Sequence, residues 1–142
     1  MRIQRFVRCA LVTMLGMTLL SHPALAAEKK QKVKVTFVSA ELIDNQHVGN
    51  EWWWGGYVDG EEIEEGDSVT VSVPASGKIT LTAEAQEQDK VPEEGSSEAA
   101  VKLSSLGKNT VKKTLDVTVT ENRGRYSGNT ATWRFVFEIK KA

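Results

Sequence analysis

From Val33 onward, apolar residues fall on every second position for most of the chain. Val33, Val35 and Phe37 alternate with Lys32, Lys34 and Thr36, and Val69, Val71 and Val73 alternate with Ser68, Thr70 and Ser72. The same period returns in Ile79, Leu81, Ala83 and Ala85, in Leu115, Val117 and Val119, and in Ala131, Trp133, Phe135, Phe137 and Ile139. Successive side chains of a strand point to opposite faces. Each segment therefore gains one apolar face and one face of threonine and charge, the pattern of antiparallel strands buried on one side. No long window carries the three-to-four spacing of an amphipathic helix.

Turn residues cut this pattern into segments. Asp59-Gly60 stands between Tyr57-Val58 and Glu61-Glu62-Ile63, the strongest short hairpin signal in the chain. Gly66-Asp67, Pro74 to Gly77, Gly95-Ser96, Gly107 to Asn109 and the loop Asn122 to Asn129 mark further reversals. Eight strands are predicted, near 33–42, 51–58, 61–64, 68–73, 78–86, 98–104, 114–121 and 130–140. The expected fold is all-β, an antiparallel β-sandwich of about eight strands, with a closed β-barrel as the alternative. In the first strand the apolar phase moves from Val33/Val35/Phe37 to Val38/Ala40/Leu42, which predicts a bulge or a sheet-switching bend near Phe37 to Ser39. Val35, Leu81, Val117, Trp133, Phe135 and Phe137 are expected to be buried on inner sheet faces.

The first 26 residues read differently. Arg2, Arg5 and Arg8 precede an apolar stretch from Cys9 to Leu20, then Pro23 and the tripeptide Ala24-Leu25-Ala26. Basic start, apolar centre and small-residue site form the secretory signal pattern, with cleavage expected between Ala26 and Ala27. The apolar centre is shorter than the ~20 residues needed to cross a bilayer, and no second apolar run follows. Arg8, before Cys9, is not the small residue that lipid attachment requires. The expected organisation is a signal peptide at 1–26, a disordered polar leader at 27–32 and one β-sandwich domain at 33–142, in a protein that is secreted or periplasmic. Cys9 is the chain's single cysteine and leaves with the signal, so disulfides are excluded from the mature domain. The formal net charge is −1, and loss of three arginines with no acid makes the mature chain more acidic. An acidic domain has no electrostatic reason to seek nucleic acid or anionic lipid.

The mature chain has one histidine, His47 in a loop, and no thiol. Cysteine nucleophiles and the usual multi-His or Cys zinc sites cannot be assembled from that inventory. No nucleophile elbow, metalloprotease motif or Gly-rich phosphate loop occurs. The expectation is a non-catalytic binding or accessory module of the bacterial cell envelope, with a polysaccharide or a protein at the cell surface as partner. Two other readings stand beside it: a small secreted glycoside hydrolase using paired carboxylates, and an inhibitory or structural partner-binding protein.

Two groups of residues are candidates for binding. In Trp52-Trp53-Trp54-Gly55-Gly56-Tyr57, alternation puts Trp52 and Trp54 on the core side and Trp53 and Tyr57 outside. Exposed rings on a β-face stack against the apolar faces of sugar rings, so Trp53 and Tyr57, with outward-facing Arg134, form a candidate ligand site. The structural alternative is that these rings cover the neighbouring glycines, or that Arg134 stacks on Trp53. The second group is acidic. The loops 43–50, 87–97 and 122–129 are predicted at one end of the sandwich, bringing Asp44, Glu87, Asp89, Glu94 and Asn129 together as candidate calcium ligands. Calcium takes six to eight oxygens from converging loops without strict geometry. The alternative there is a solvated acidic turn interrupted by Lys90.

The signal assignment predicts that the exported protein has the intact mass of a chain starting at Ala27. A mature product that still carries Cys9 would overturn it.

Overall fold

The structure, a computed structural model, describes residues 25–142; the arginines, the apolar centre and Cys9 of the expected signal peptide lie outside the described residues. Eight strands follow in order: β1 Lys30–Asn45, β2 Trp52–Val58, β3 Glu61–Ile63, β4 Ser68–Pro74, β5 Lys78–Glu87, β6 Glu93–Lys102, β7 Val111–Thr120 and β8 Thr130–Lys141. Single 3₁₀ turns at Leu103–Ser105 and Gly124–Tyr126 interrupt two of the connections. The strands form two open antiparallel sheets, β4-β1-β8-β7 and β3-β2-β5-β6. The fold is a β-sandwich, and neither sheet closes into a barrel.

The inner faces follow the predicted alternation. Val35, Phe37, Leu81, Val117, Trp133, Phe135 and Phe137 are all buried in one continuous core. Phe37 stacks on Phe137 at 5.0 Å and on Phe135 at 5.8 Å between ring centroids. From the other sheet, Gly56 lies so close that a Cβ there would stand 2.9 Å from the Phe37 ring. The Asp59-Gly60 reversal has positive φ at both residues, 50° and 84°, the geometry of a type I′ hairpin turn.

The bulge also stands where the phase shift predicts. The β1–β8 register slips between Phe37 and Ser39, after which Ala40 pairs with Phe135 and Leu42 with Trp133. Residues directly opposite across an antiparallel pair share a face, so the slip turns Ala40 and Leu42 to the Phe135 and Trp133 side, where Ala40 packs against the core and Leu42 stays exposed. A second slip falls between Leu42 and Asp44.

Several strand limits differ from the expected ones, the starts of β6, β7 and β1 among them. β6 starts at Glu93, not near 98, because β5 offers a continuous edge and Glu93 to Ser97 pair along it despite their low strand propensity. β7 starts at Val111, which pairs with Ile139. The polar leader is not wholly outside the fold: Lys30 to Lys32 pair with Ser72 to Pro74, and the Glu28 carboxylate accepts bonds from the Ser76 N–H (2.7 Å) and hydroxyl (2.8 Å). The edge of β4 has free backbone groups at that point, and pairing satisfies them.

Phe135 is fully buried in the aromatic stack, whereas Thr132 lies on the outer face of the same strand. Phe135→Ala should lower unfolding free energy by about 3–5 kcal/mol in a denaturant melt. Thr132→Ala should change it by a small fraction of that. Equal losses at the two positions would contradict the face assignment.

Candidate functional site

The loops joining β1 to β2, β5 to β6 and β7 to β8 meet at one end of the sandwich. Backbone and side-chain bonds tie them together: Gln88 N–H to the Glu51 carbonyl (2.7 Å), Gln46 N–H to the Thr130 carbonyl (3.0 Å), and the Asn129 amide to the Gln46 carbonyl (2.6 Å). The first loop is folded by its own polar groups. The Asn45 side chain accepts from the Val48 N–H and donates to the Gly49 carbonyl, which also receives the Trp52 indole N–H. Gly49, at φ 141°, is thereby pressed against the Glu87 carboxyl, leaving no space for a Cβ.

β5 ends and β6 begins with glutamates set directly across from each other, Glu87 and Glu93. Both point to the inner face, at 2 % and 5 % exposure. Asp89, in the five-residue connection between the strands, joins them: one carboxylate oxygen from each of Glu87, Asp89 and Glu93 lies within 4.8 Å of the others. The Glu87 carboxylate accepts the Asp89 N–H at 3.1 Å, and Asp89 in turn accepts the Val91 N–H at 2.7 Å. Glu93 receives one long bond, from the Asn122 N–H at 3.5 Å, and its Oε2 is buried with no partner. Burial, then the neighbouring Asp89 and Glu93 charges, push the Glu87 carboxyl above the usual carboxylate range, against the lowering effect of the Asp89 and Glu51 amides.

Of the five predicted calcium ligands, the structure brings Glu87 and Asp89 together and leaves the other three apart. Asp44 is turned outward by the second β1 slip, opposite Thr132. Glu94 pairs with Gln86 on the outer face of the β5–β6 hairpin. Asn129 holds the β7–β8 loop to Gln46. The acid that completes the cluster is Glu93. Strict alternation from Glu87 through a short hairpin would have found it, had β6 been started early enough.

The outer face of β2, β5 and β6 carries the aromatic candidates. Register sets three rows across it: Trp53–Gln86–Glu94, Gly55–Glu84–Ser96 and Tyr57–Thr82–Glu98. Small residues flank Glu84 in the middle row. The result is a concavity of about 350 Å³ lined by Trp53, Glu84, Ala85, Gln86, Glu94, Gly95 and Ser96. Trp53 is 37 % exposed, and its ring edge and the Tyr57 hydroxyl converge over Gly55, at 3.0 and 3.2 Å from where a Cβ would be. Burial first, then the Glu84 and Glu62 carboxylates, raise the Tyr57 hydroxyl above its ordinary value and keep it neutral.

Arg134 does not share this face. It stands on β8, in the other sheet, where Nε and Nη2 bind the two Asp116 oxygens at 2.9 and 2.8 Å. Charge complementarity with Asp116 across the β7–β8 pair holds the guanidinium there, so stacking on Trp53 is ruled out. Trp52 and Trp54 face inward as expected and clamp Trp133, edge-on at 5.7 Å and stacked at 4.7 Å. Trp54 is nevertheless 39 % exposed, because the sandwich is open beside it. His47 stacks on Tyr126 at 5.3 Å at the surface of the loop end.

A group whose folded pKa is raised contributes stability that is complete below its unfolded value and is lost as pH rises through the folded value. With chelator present, the contribution of Glu87 should therefore decline as pH climbs out of the acid range, with Asp89 and Glu93 opposing its ionisation. Melting temperatures of wild type and Glu87→Gln across that range should converge at low pH and diverge above it, the variant being the more stable. A constant difference would mean that Glu87 ionises normally. The chain matches no protein-family model and no curated protein.

Proposed function

We propose that the protein is a secreted, non-catalytic binding module of the bacterial cell envelope, and that it takes a hydroxyl-rich ligand, a polysaccharide or glycan strand, in the groove beside Trp53. The observation that carries this reading is the groove's composition. One wall is an exposed indole, and the others are Glu84, Gln86, Glu94 and Ser96, all able to bond hydroxyl groups. An indole face suits the C–H face of a pyranose, while carboxylates and amides suit its rim. Export is supported by the N-terminal basic-apolar-small pattern.

A pull-down against insoluble cell-wall polysaccharide, followed by titration with soluble fragments, tests this reading. Trp53→Ala should weaken binding by tenfold or more, about 1.4 kcal/mol, with little change in melting temperature. Loss of melting temperature with binding intact would reduce Trp53 to a cover for Gly55. Cleavage of the fragments, abolished by Glu84→Gln, would instead favour the glycoside hydrolase.

A further inference from the structure

Like charges gathered out of water need a counter-charge or a proton. At the loop end of the sandwich three carboxylates converge, two of them almost wholly buried. Among the described residues, no lysine, arginine or histidine stands within ion-pair distance of any of them; the ion pair found there joins Arg134 to Asp116. Glu93 Oε2 is enclosed without a single hydrogen bond. A bare carboxylate oxygen in that position is costly, since desolvation is not compensated by any donor.

We propose that Glu87, Asp89 and Glu93 form a divalent-cation site, filled by calcium, between the end of β5 and the start of β6. Calcium binds oxygens at roughly 2.3–2.6 Å, so two ligands on opposite sides of one ion stand about 4.8 Å apart. The three carboxylate oxygens fall within 4.8 Å of one another, inside the span of one such shell. Magnesium demands a near-ideal octahedron and gives up its water reluctantly, whereas calcium accepts irregular oxygen sets such as two strand-end glutamates and one loop aspartate. The buried Glu93 carboxylate, which has one unpartnered oxygen, gains a ligand role, and the crowding of three carboxylates is relieved. An open concavity of about 480 Å³, lined by Asn50, Glu51, Glu87, Gln88, Asp89 and Lys90, gives the ion its entry and leaves room for water to complete the shell. Gly49 and Asn122 wall the other sides. This site is separate from the Trp53 groove, which lies on the outer face of the same sheet.

The test uses the exported mature protein, stripped with chelator and titrated with calcium, magnesium or terbium. Millimolar calcium should raise the melting temperature by several degrees, chelator should reverse the rise, and magnesium should do less. Terbium should luminesce on tryptophan excitation, because Trp52 stands directly across from Glu87, and calcium should quench that signal by displacement. Glu93→Gln should abolish the calcium shift while making the metal-free protein more stable. Glu94→Gln, one residue on but facing outward, should keep the full shift, as should Trp53→Ala. If Glu93→Gln does not fold, Asp89→Asn on the exposed connection carries the test, with an expected loss of affinity of tenfold or more. No shift and no terbium signal at several millimolar would overturn the site. So would equal losses in Glu94→Gln and Glu93→Gln, which would mean general screening of an acidic surface.

Discussion

The sandwich depends on how Phe37 is held. Its ring is one of the contacts between the two sheets, stacked on Phe135 and Phe137 in its own sheet and pressed on Gly56 in the other. Its backbone is where β1 leaves β4. The Phe37 N–H bonds to the Asp67 carbonyl, and its carbonyl takes the Gly66 N–H, so the turn before β4 is fastened to the bulge. One residue thus joins a contact between the layers to the point at which β1 loses β4 and shifts phase against β8. Close-packed cores transmit such constraints because no void absorbs a shift. The flip after Phe37 is what lets Ala40 and Leu42 stay opposite Phe135 and Trp133.

The acidic end follows from the β5–β6 register in the same way. Counting outward from Leu81 on the inner face of β5 gives Ala83, Ala85 and then Glu87. Where the core needs an apolar residue, the chain supplies a carboxylate, and β6 answers with a second one. Hydrophobic burial elsewhere has to hold this arrangement together against repulsion. The tryptophan cluster Trp52–Trp133–Trp54 adjoins it, Trp52 standing directly across from Glu87.

Much of the fold was legible because alternation is a local property. The Asp59-Gly60 turn, the bulge after Phe37 and the faces of β5, β7 and β8 could all be read from neighbours along the chain. The β6 limits could not, since Glu93 to Ser97 look like a loop until β5 is there to pair with them. The same blindness hid the site. Glu93 and Glu94 are indistinguishable in sequence, and a register fixed across strands sends one into the core and the other to solvent. Asp44 was lost to a second slip that leaves no apolar phase change strong enough to see. Arg134 was assigned a plausible ring, but its salt-bridge partner Asp116 is set by β7–β8 pairing, a non-local fact.

The two irregularities of β1 bear on association between molecules. β4 covers only Lys30 to Thr36, so among the described residues the strand from Ser39 to Asn45 has β8 on one side and nothing paired on the other. Leu42 and Ile43 are exposed along that stretch, as is Val38 at the bulge before it. A flat, apolar, unpaired edge invites a foreign strand to add to it and is the usual seed of aggregation. Here the hydrogen-bonding repeat is broken twice within eight residues of backbone, after Phe37 and again after Leu42. An incoming strand would meet a kinked template that also carries Glu41 and Asp44, and could not extend its ladder past either kink. The bulges that put the core in phase thereby also make the open side of β1 a poor template for strand addition.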